Sequence, residues 1–160
     1  MLTVDAALSA QERTELCEMA KSGPLPRAAA IDSLRYVQAR HGWVSDAALA
    51  ALAAILKMSN AELDQIATFY NLIFREPVGK NVILLCDSVT CWMLGRATLQ
   101  SQIREKLGIA PGETTADGRF TLLPIVCLGA CDKAPALMLG NVLHGDITAA
   151  KLNALLDGAS

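Results

Sequence analysis

Four of the five cysteines stand in two tight pairs, Cys86 and Cys91 in CDSVTC and Cys127 and Cys131 in CLGAC. Paired thiols can close disulfides, exchange with other thiols, or ligate a metal as thiolates. No Cys-x-x-Cys redox motif is present, and a reducing compartment disfavours structural disulfides. Metal ligation therefore takes precedence. Zinc accepts four thiolates, but its usual knuckles are Cys-x2-Cys and its usual hosts are small domains without a core. A binuclear iron–sulfur cluster is wider than one ion and needs ligand pairs set further apart. The x4 and x3 loops suit the cluster better, and a zinc staple stays open as the alternative.

A cluster held by four thiolates would carry a formal charge of about −2 when oxidised and about −3 when reduced. Burying that charge requires hydrogen-bond donors around it, and backbone N–H groups of the two loops are the natural ones. Gly129 allows CLGAC to turn tightly, and Gly95 offers the same freedom after Cys91. Asp87 and Asp132 would disfavour reduction and Lys133 would oppose them; each reads equally well as a solvated loop residue.

The elements that must bring these pairs together follow from periodicity. NVILLC, 81–86, is a continuous apolar run of strand length, suited to burial on both faces. Leu94, Leu99, Ile103 and Leu107 predict a helix that stops at Gly108. FTLLPIVC, 120–127, predicts a second strand. ALML and NVLH predict a hairpin around Gly140, and residues 149–156 a closing helix. Strand, helix, strand in that order predicts a crossover with parallel strands. Parallel strands end at the same sheet edge, so Cys86 and Cys127, each followed by a loop carrying its partner, should converge. The order β-α-β-β-β-α is that of a thioredoxin-like domain.

The first half reads differently. Ser9 with Glu12 and Ser59 with Glu62 are capping-box patterns; Pro26 opens a helix and Gly42 stops one. Ala30, Leu34, Val37 and His41 share one helical face, Leu49, Leu52, Ala53 and Leu56 a second, and Leu63, Ile66, Ala67, Tyr70 and Ile73 a third. Four short helices predict a small bundle. REPVGK breaks the helical period. The expectation is an α+β chain with a docking domain of helices over 1–76 and a thioredoxin-like α/β domain over 77–160.

Composition bounds the function. At 52% hydrophobic with a net charge of −2, the chain can bury a core and lacks the basic balance of a nucleic-acid binder. MLTVDAALSAQERTE has neither a basic leader nor the apolar core of a signal peptide, and the longest apolar run, Ala47 to Leu56, is too short to span a bilayer. These features predict a cytosolic protein that reaches a membrane only through a partner. No G-x-G-x-x-G and no G-x-x-x-x-G-K-S/T is present, so nicotinamide and flavin sites belong elsewhere. A cluster passes electrons but makes no bonds alone, which predicts one part of a larger oxidoreductase. Cys17, alone on a helix, reads as a small buried apolar residue, and Phe69, Tyr70 and Phe74 as core or domain-contact residues. His41 and His144 lack companions at ligand spacing. Pro135 is placed where thioredoxin-like folds often hold a cis proline, and Trp92 beside Cys91 could shield the site, meet a partner or simply pack.

PRAAAIDSLRYVQARHGWVSDAAL, IATFYNLIFREPVGK, CDSVTC and CLGACDKAP together resemble the E-subunit branch of the thioredoxin-like 2Fe–2S ferredoxin family, found in bacterial NADH:quinone oxidoreductase (complex I). The resemblance runs from about Pro26 to the C-terminus, on C-x4-C, 35 residues, C-x3-C. It implies that Cys86, Cys91, Cys127 and Cys131 ligate one 2Fe–2S cluster. It also implies that the helical half docks on a subunit binding FMN and NADH, beside further iron–sulfur subunits. The cluster would exchange single electrons with that flavin, in a cytoplasmic complex peripheral to the inner membrane. The module is similar as well to the small diaphorase subunits of NAD-dependent formate dehydrogenases and NAD-reducing hydrogenases.

Overall fold

The computed structural model describes residues 8–159; part of the N-terminal stretch read above for a leader lies outside them. The chain divides into two compact units between Pro77 and Val78. No helix among the described residues is long and apolar enough to cross a membrane.

The first unit is helical, with α1 (Ala10–Ser22), α2 (Ala30–His41), α3 (Asp46–Leu56) and α4 (Asn60–Phe69). A 3-10 turn, Pro26–Ala29, leads into α2. Serines begin three of the helices. Ser9 Oγ accepts the Glu12 N–H at 3.3 Å while Glu12 Oε2 accepts the Ser9 N–H at 2.8 Å. Ser59 and Glu62 repeat this at 3.2 and 2.9 Å. Ser45 Oγ accepts the Ala48 N–H at 3.2 Å. Each cap satisfies N–H groups that lack an intrahelical partner and contributes about 1 kcal/mol. Gly42 closes α2 in the left-handed region at φ +81°, a conformation that L side chains rarely adopt and glycine takes freely.

Leu16, Leu34, Val37, Leu52, Leu56 and Leu63 are fully buried and form the centre of this unit. Truncating one of them to alanine costs about 2–5 kcal/mol, the spread reflecting how far each cavity collapses. Arg75, beyond the last helix, fastens the end of the unit. Its guanidinium reaches Asp64 Oδ1 at 2.8 Å, Asp46 Oδ1 at 2.6 Å and the Val44 carbonyl. The Phe74 carbonyl accepts the Val44 N–H at 2.8 Å. Polar contacts tie α1 to α2: Glu12 Oε1 lies 2.7 Å from His41 Nε2, and Arg40 donates to Glu15 at 2.9 Å. Tyr36 donates to Glu15 as well. Desolvation, and then that bond, push the Tyr36 phenol up to about 12.

Two expectations fail in this unit, for Tyr70 and for Cys17, and the core half of the Phe69 reading goes with them. Tyr70 follows the α4 stripe by number, but the helix ends at Phe69 and Tyr70 is extended (ψ 102°), so the period no longer carries it inward. Phe69 lies off the Leu63–Ala67 stripe and is 82% exposed. Both rings leave the core and meet each other edge to face, centroids 5.5 Å apart. Cys17, expected to be buried, is only partly so.

The second unit runs β1 (Asn81–Cys86), α5 (Val89–Met93), α6 (Arg96–Leu107), β2 (Phe120–Ile125), β3 (Leu137–Leu139), β4 (Val142–His144), α7 (Ala149–Gly158). The sheet order is β2-β1-β3-β4. β1 is parallel to β2, with Asn81 opposite Phe120 and Cys86 opposite Ile125, and antiparallel to β3, which pairs antiparallel with β4. The unit is α+β and thioredoxin-like in order, with the crossover helix divided in two. Residues Val82 to Cys86 are all buried, as a central strand requires. Their alternation sends Ile83 and Leu85 into the main core with Leu99, Ile103, Leu122, Leu152 and Leu156. Cys86 leaves on the opposite face, among Cys91 and Ala136. At the edge strand, Pro124 needs no ladder N–H, and the outer side of β2 is covered where Leu122 N–H meets Glu113 O at 3.0 Å. Gly79 packs so closely that a Cβ would lie 2.9 Å from the Gly118 carbonyl oxygen. Its N–H donates to the buried Thr121 Oγ1 at 2.6 Å.

Candidate metal centre

The four cysteines reach one end of the sheet by different routes. Cys86 is the last residue of β1; its N–H donates to Ala136 O at 3.2 Å, and the next N–H, of Asp87, donates to Ile125 O at 2.8 Å. Cys91 lies inside α5, a five-residue helix that ends as the chain reaches Gly95 at φ +110°. The helix expected from Leu94 therefore begins at Arg96, and Leu94 is exposed before it. The first arm is a strand end joined to a helical turn, more rigid than a loop. β2 ends at Ile125, two residues before Cys127. Cys127 opens a true loop, and Cys131 begins a 3-10 turn, Cys131–Lys133.

Burial divides the set. Cys86 and Cys91 are buried; Cys127 and Cys131 are exposed. Gly129, at φ +73°, turns its N–H onto Cys127 Sγ at 3.3 Å. That bond is the first cause of a Cys127 thiol held below the ordinary thiol value. Desolvation works against it, and the Ser88 hydroxyl and the Cys131 and Cys86 thiols reinforce it. Cys91 moves the other way: burial raises it, the Ala136 N–H pulls it back, and the neighbouring Cys86 and Cys131 sulfurs push it up again. Each of the four thiols thus interacts with at least one other, across the two arms. Among the described residues, no three His, Cys, Asp or Glu side chains are grouped as ligands of a single metal ion.

The Ala134–Pro135 peptide is cis, directly before Ala136, whose backbone serves both Cys86 and Cys91. Asp87 does not face the thiols as a free charge. Its Oδ1 lies 3.0 Å from Arg96 Nε, a charge contact without hydrogen-bond alignment. Around the site, Val89, Trp92, Met93, Leu94 and Val126 are exposed apolar side chains. Trp92 is therefore not packed in the core. The donor set fits an iron–sulfur cluster: four soft sulfur ligands, one already biased to the thiolate, with backbone N–H donors close by. Arg96, Ala136 and Ser88 contribute to this setting without any local pattern in the sequence that signals it; strand pairing brings in Ala136, while Arg96 reaches Asp87 across α5.

The model of the thioredoxin-like [2Fe-2S] ferredoxin family matches residues 16–160. The E subunit of the NADH-quinone oxidoreductase of Pseudomonas aeruginosa is 50% identical over 122 residues, 76% of this chain and 74% of that protein. Its counterpart in Escherichia coli, the E subunit of the same kind of oxidoreductase, is 45% identical over 150 residues, 94% of this chain and 90% of that one. Among solved structures, a chain of the NAD+-reducing [NiFe]-hydrogenase in the air-oxidized state superposes with a TM-score of 0.72 at 26% identity. That match covers 82% of this chain and 22% of the hydrogenase chain, so this chain corresponds to about a fifth of that longer polypeptide.

Proposed function

Because the chain belongs to the thioredoxin-like [2Fe-2S] ferredoxin family, we propose that it is the electron-transferring E subunit of an NADH-quinone oxidoreductase. Cys86, Cys91, Cys127 and Cys131 hold one 2Fe–2S cluster, which exchanges single electrons with FMN in an adjacent subunit that also binds NADH. The observation that carries this reading is the strand register, which ends parallel β1 and β2 side by side with Cys86 on one and Cys127 two residues beyond the other, in a chain 45–50% identical to subunits of that enzyme. When bound, such a cluster takes up and releases one electron at a time.

The chain's own residues prepare and shelter that function. Cys127, favoured as thiolate by the Gly129 N–H, gives up its proton to a metal more readily than an ordinary thiol. Cys91, raised by burial, must surrender a proton as metal binds, so loading is favoured by higher pH. Arg96 offsets the Asp87 charge beside Cys86. Cys127 and Cys131 bring the site to the surface, where an electron can cross to a partner. Val89, Trp92, Met93 and Val126 around them form an apolar rim that excludes water from such a contact. On the helical unit, exposed Phe69, Tyr70 and Leu72 form the patch that we assign to docking on the flavin-bearing subunit. The chain then works on the cytoplasmic side of the inner membrane, held there by the complex with its further iron–sulfur subunits.

The likeness to the hydrogenase chain supports a second reading, a diaphorase subunit of an NAD-reducing hydrogenase or formate dehydrogenase. Purification of the native complex tests both. A quinone-reducing assembly with a flavoprotein supports the first; a nickel- or molybdenum-containing subunit in the complex supports the second and refutes the first. Copurification with neither, together with one zinc per chain, would leave the interaction module with a zinc staple.

A further inference from the structure

The Cys131 arm rests on a second segment far along the chain, Gly145 to Ile147. The Asp146 N–H donates to Lys133 O at 2.6 Å and the Ile147 N–H to Pro135 O at 3.1 Å. Ile147 is itself anchored in the core of the unit. Lys133 closes the 3-10 turn that begins at Cys131, and its N–H donates back to Ala130 O at 3.1 Å. The contact between these segments is closest at Gly145. A Cβ there would lie 2.5 Å from Lys133 Cβ and 2.9 Å from Lys133 O. Neither atom is the free end of a flexible chain, so the backbone two residues after Cys131 would have to move.

We infer that Gly145 is a positioning residue for the Cys131 arm: its missing side chain lets 145–147 clasp the Lys133–Pro135 segment and fix where the Cys131 sulfur stands. The inference rests on the cluster assignment made above, and concerns how accurately one of its ligands is held. A ligand displaced by its supporting shell weakens a metal site without removing a ligand.

The test uses the cluster-loaded full chain. Gly145→Ala is compared with wild type, with Gly158→Ala, where an added Cβ meets nothing within 4 Å, and with Lys133→Gly, alone and combined with Gly145→Ala. The readouts are the EPR line shape and reduction potential of the dithionite-reduced protein and the rate of bleaching by a chelator. We expect Gly145→Ala to shift the EPR signal and bleach about tenfold faster, Gly158→Ala to match wild type, and the double variant to return toward Lys133→Gly alone. Unchanged EPR and bleaching in Gly145→Ala, or a defect of equal size with and without Lys133→Gly, would overturn the inference and leave the cluster assignment standing. If Gly145→Ala does not fold, hydrogen exchange of the wild type decides: protected Asp146 and Ile147 amides support the clasp, and amides exchanging as fast as an open loop refute it. A colourless wild type overturns the cluster assignment and this inference with it.

Discussion

Gly129 provides a graded perturbation of the site, because its demand is conformational alone. Its φ of +73° lies in the left-handed region, and nothing is within 4 Å of where a Cβ would stand. Substitution therefore introduces no clash, only the cost of forcing an L-residue into that region, about 1–2 kcal/mol for alanine. That cost lowers the share of molecules with the loop turned inward by about tenfold. Asparagine tolerates the region and should cost less; valine, branched at Cβ, should cost more. When the loop relaxes, Cys127 loses the N–H that is the first cause of its lowered pKa, and its thiol returns toward the ordinary value. The assay is alkylation of the metal-free protein across pH, followed by mass spectrometry at each cysteine. In wild type, Cys127 should label at lower pH than the buried, raised Cys91. The midpoint for Cys127 should rise in the order Gly, Asn, Ala, Val, while Cys91 stays where it was. A Cys127 midpoint that ignores all three substitutions would show that the Gly129 N–H does not govern it.

Further outcomes follow from other contacts. Cys127→Ser should weaken or abolish the visible spectrum while leaving the helical unit intact by far-UV circular dichroism; Cys17→Ser, on α1, should leave the colour unchanged. Glu12 is held below the ordinary carboxylate value, first by the Ser9 N–H and then by the Ser9 hydroxyl. A lowered folded pKa contributes stability that is present above the ordinary value and lost as pH falls through the folded one. Glu12→Gln should therefore cost about 1 kcal/mol at neutral pH in denaturant unfolding, and the gap to wild type should close in acid. Thr121→Val strands the buried Gly79 N–H and should cost about 1–3 kcal/mol, read in the same unfolding experiment; a neutral result would mean the N–H finds another acceptor.

Much of the architecture was legible because local and tertiary demands agree. NVILLC could be read as a central strand since each residue after Asn81 is buried. Both capping boxes formed, because Ser-x-x-Glu needs only its own helical turn. The crossover logic led from two strand ends to one sheet edge without any contact being known. The misreadings came where a local pattern stopped short of its expected end. Apolar spacing ran Leu94 into a helix that Gly95 begins anew, so α5, which carries Cys91, was missed as an element. Tyr70 continued a stripe by number after the helix had ended. Phe69 reads as a core or domain-contact residue, and its exposure removes only the first of the two. The clasp at Gly145 had no local signature: its partner Lys133 is distant in sequence, and only strand pairing makes them neighbours.

The most direct test of the central claim is combined iron, acid-labile sulfide and zinc analysis of anaerobically purified protein, with EPR of the dithionite-reduced sample. The account predicts two irons and two sulfides per chain, as the family description specifies, and a paramagnetic signal that appears on reduction. A colourless, EPR-silent chain holding one zinc would contradict it.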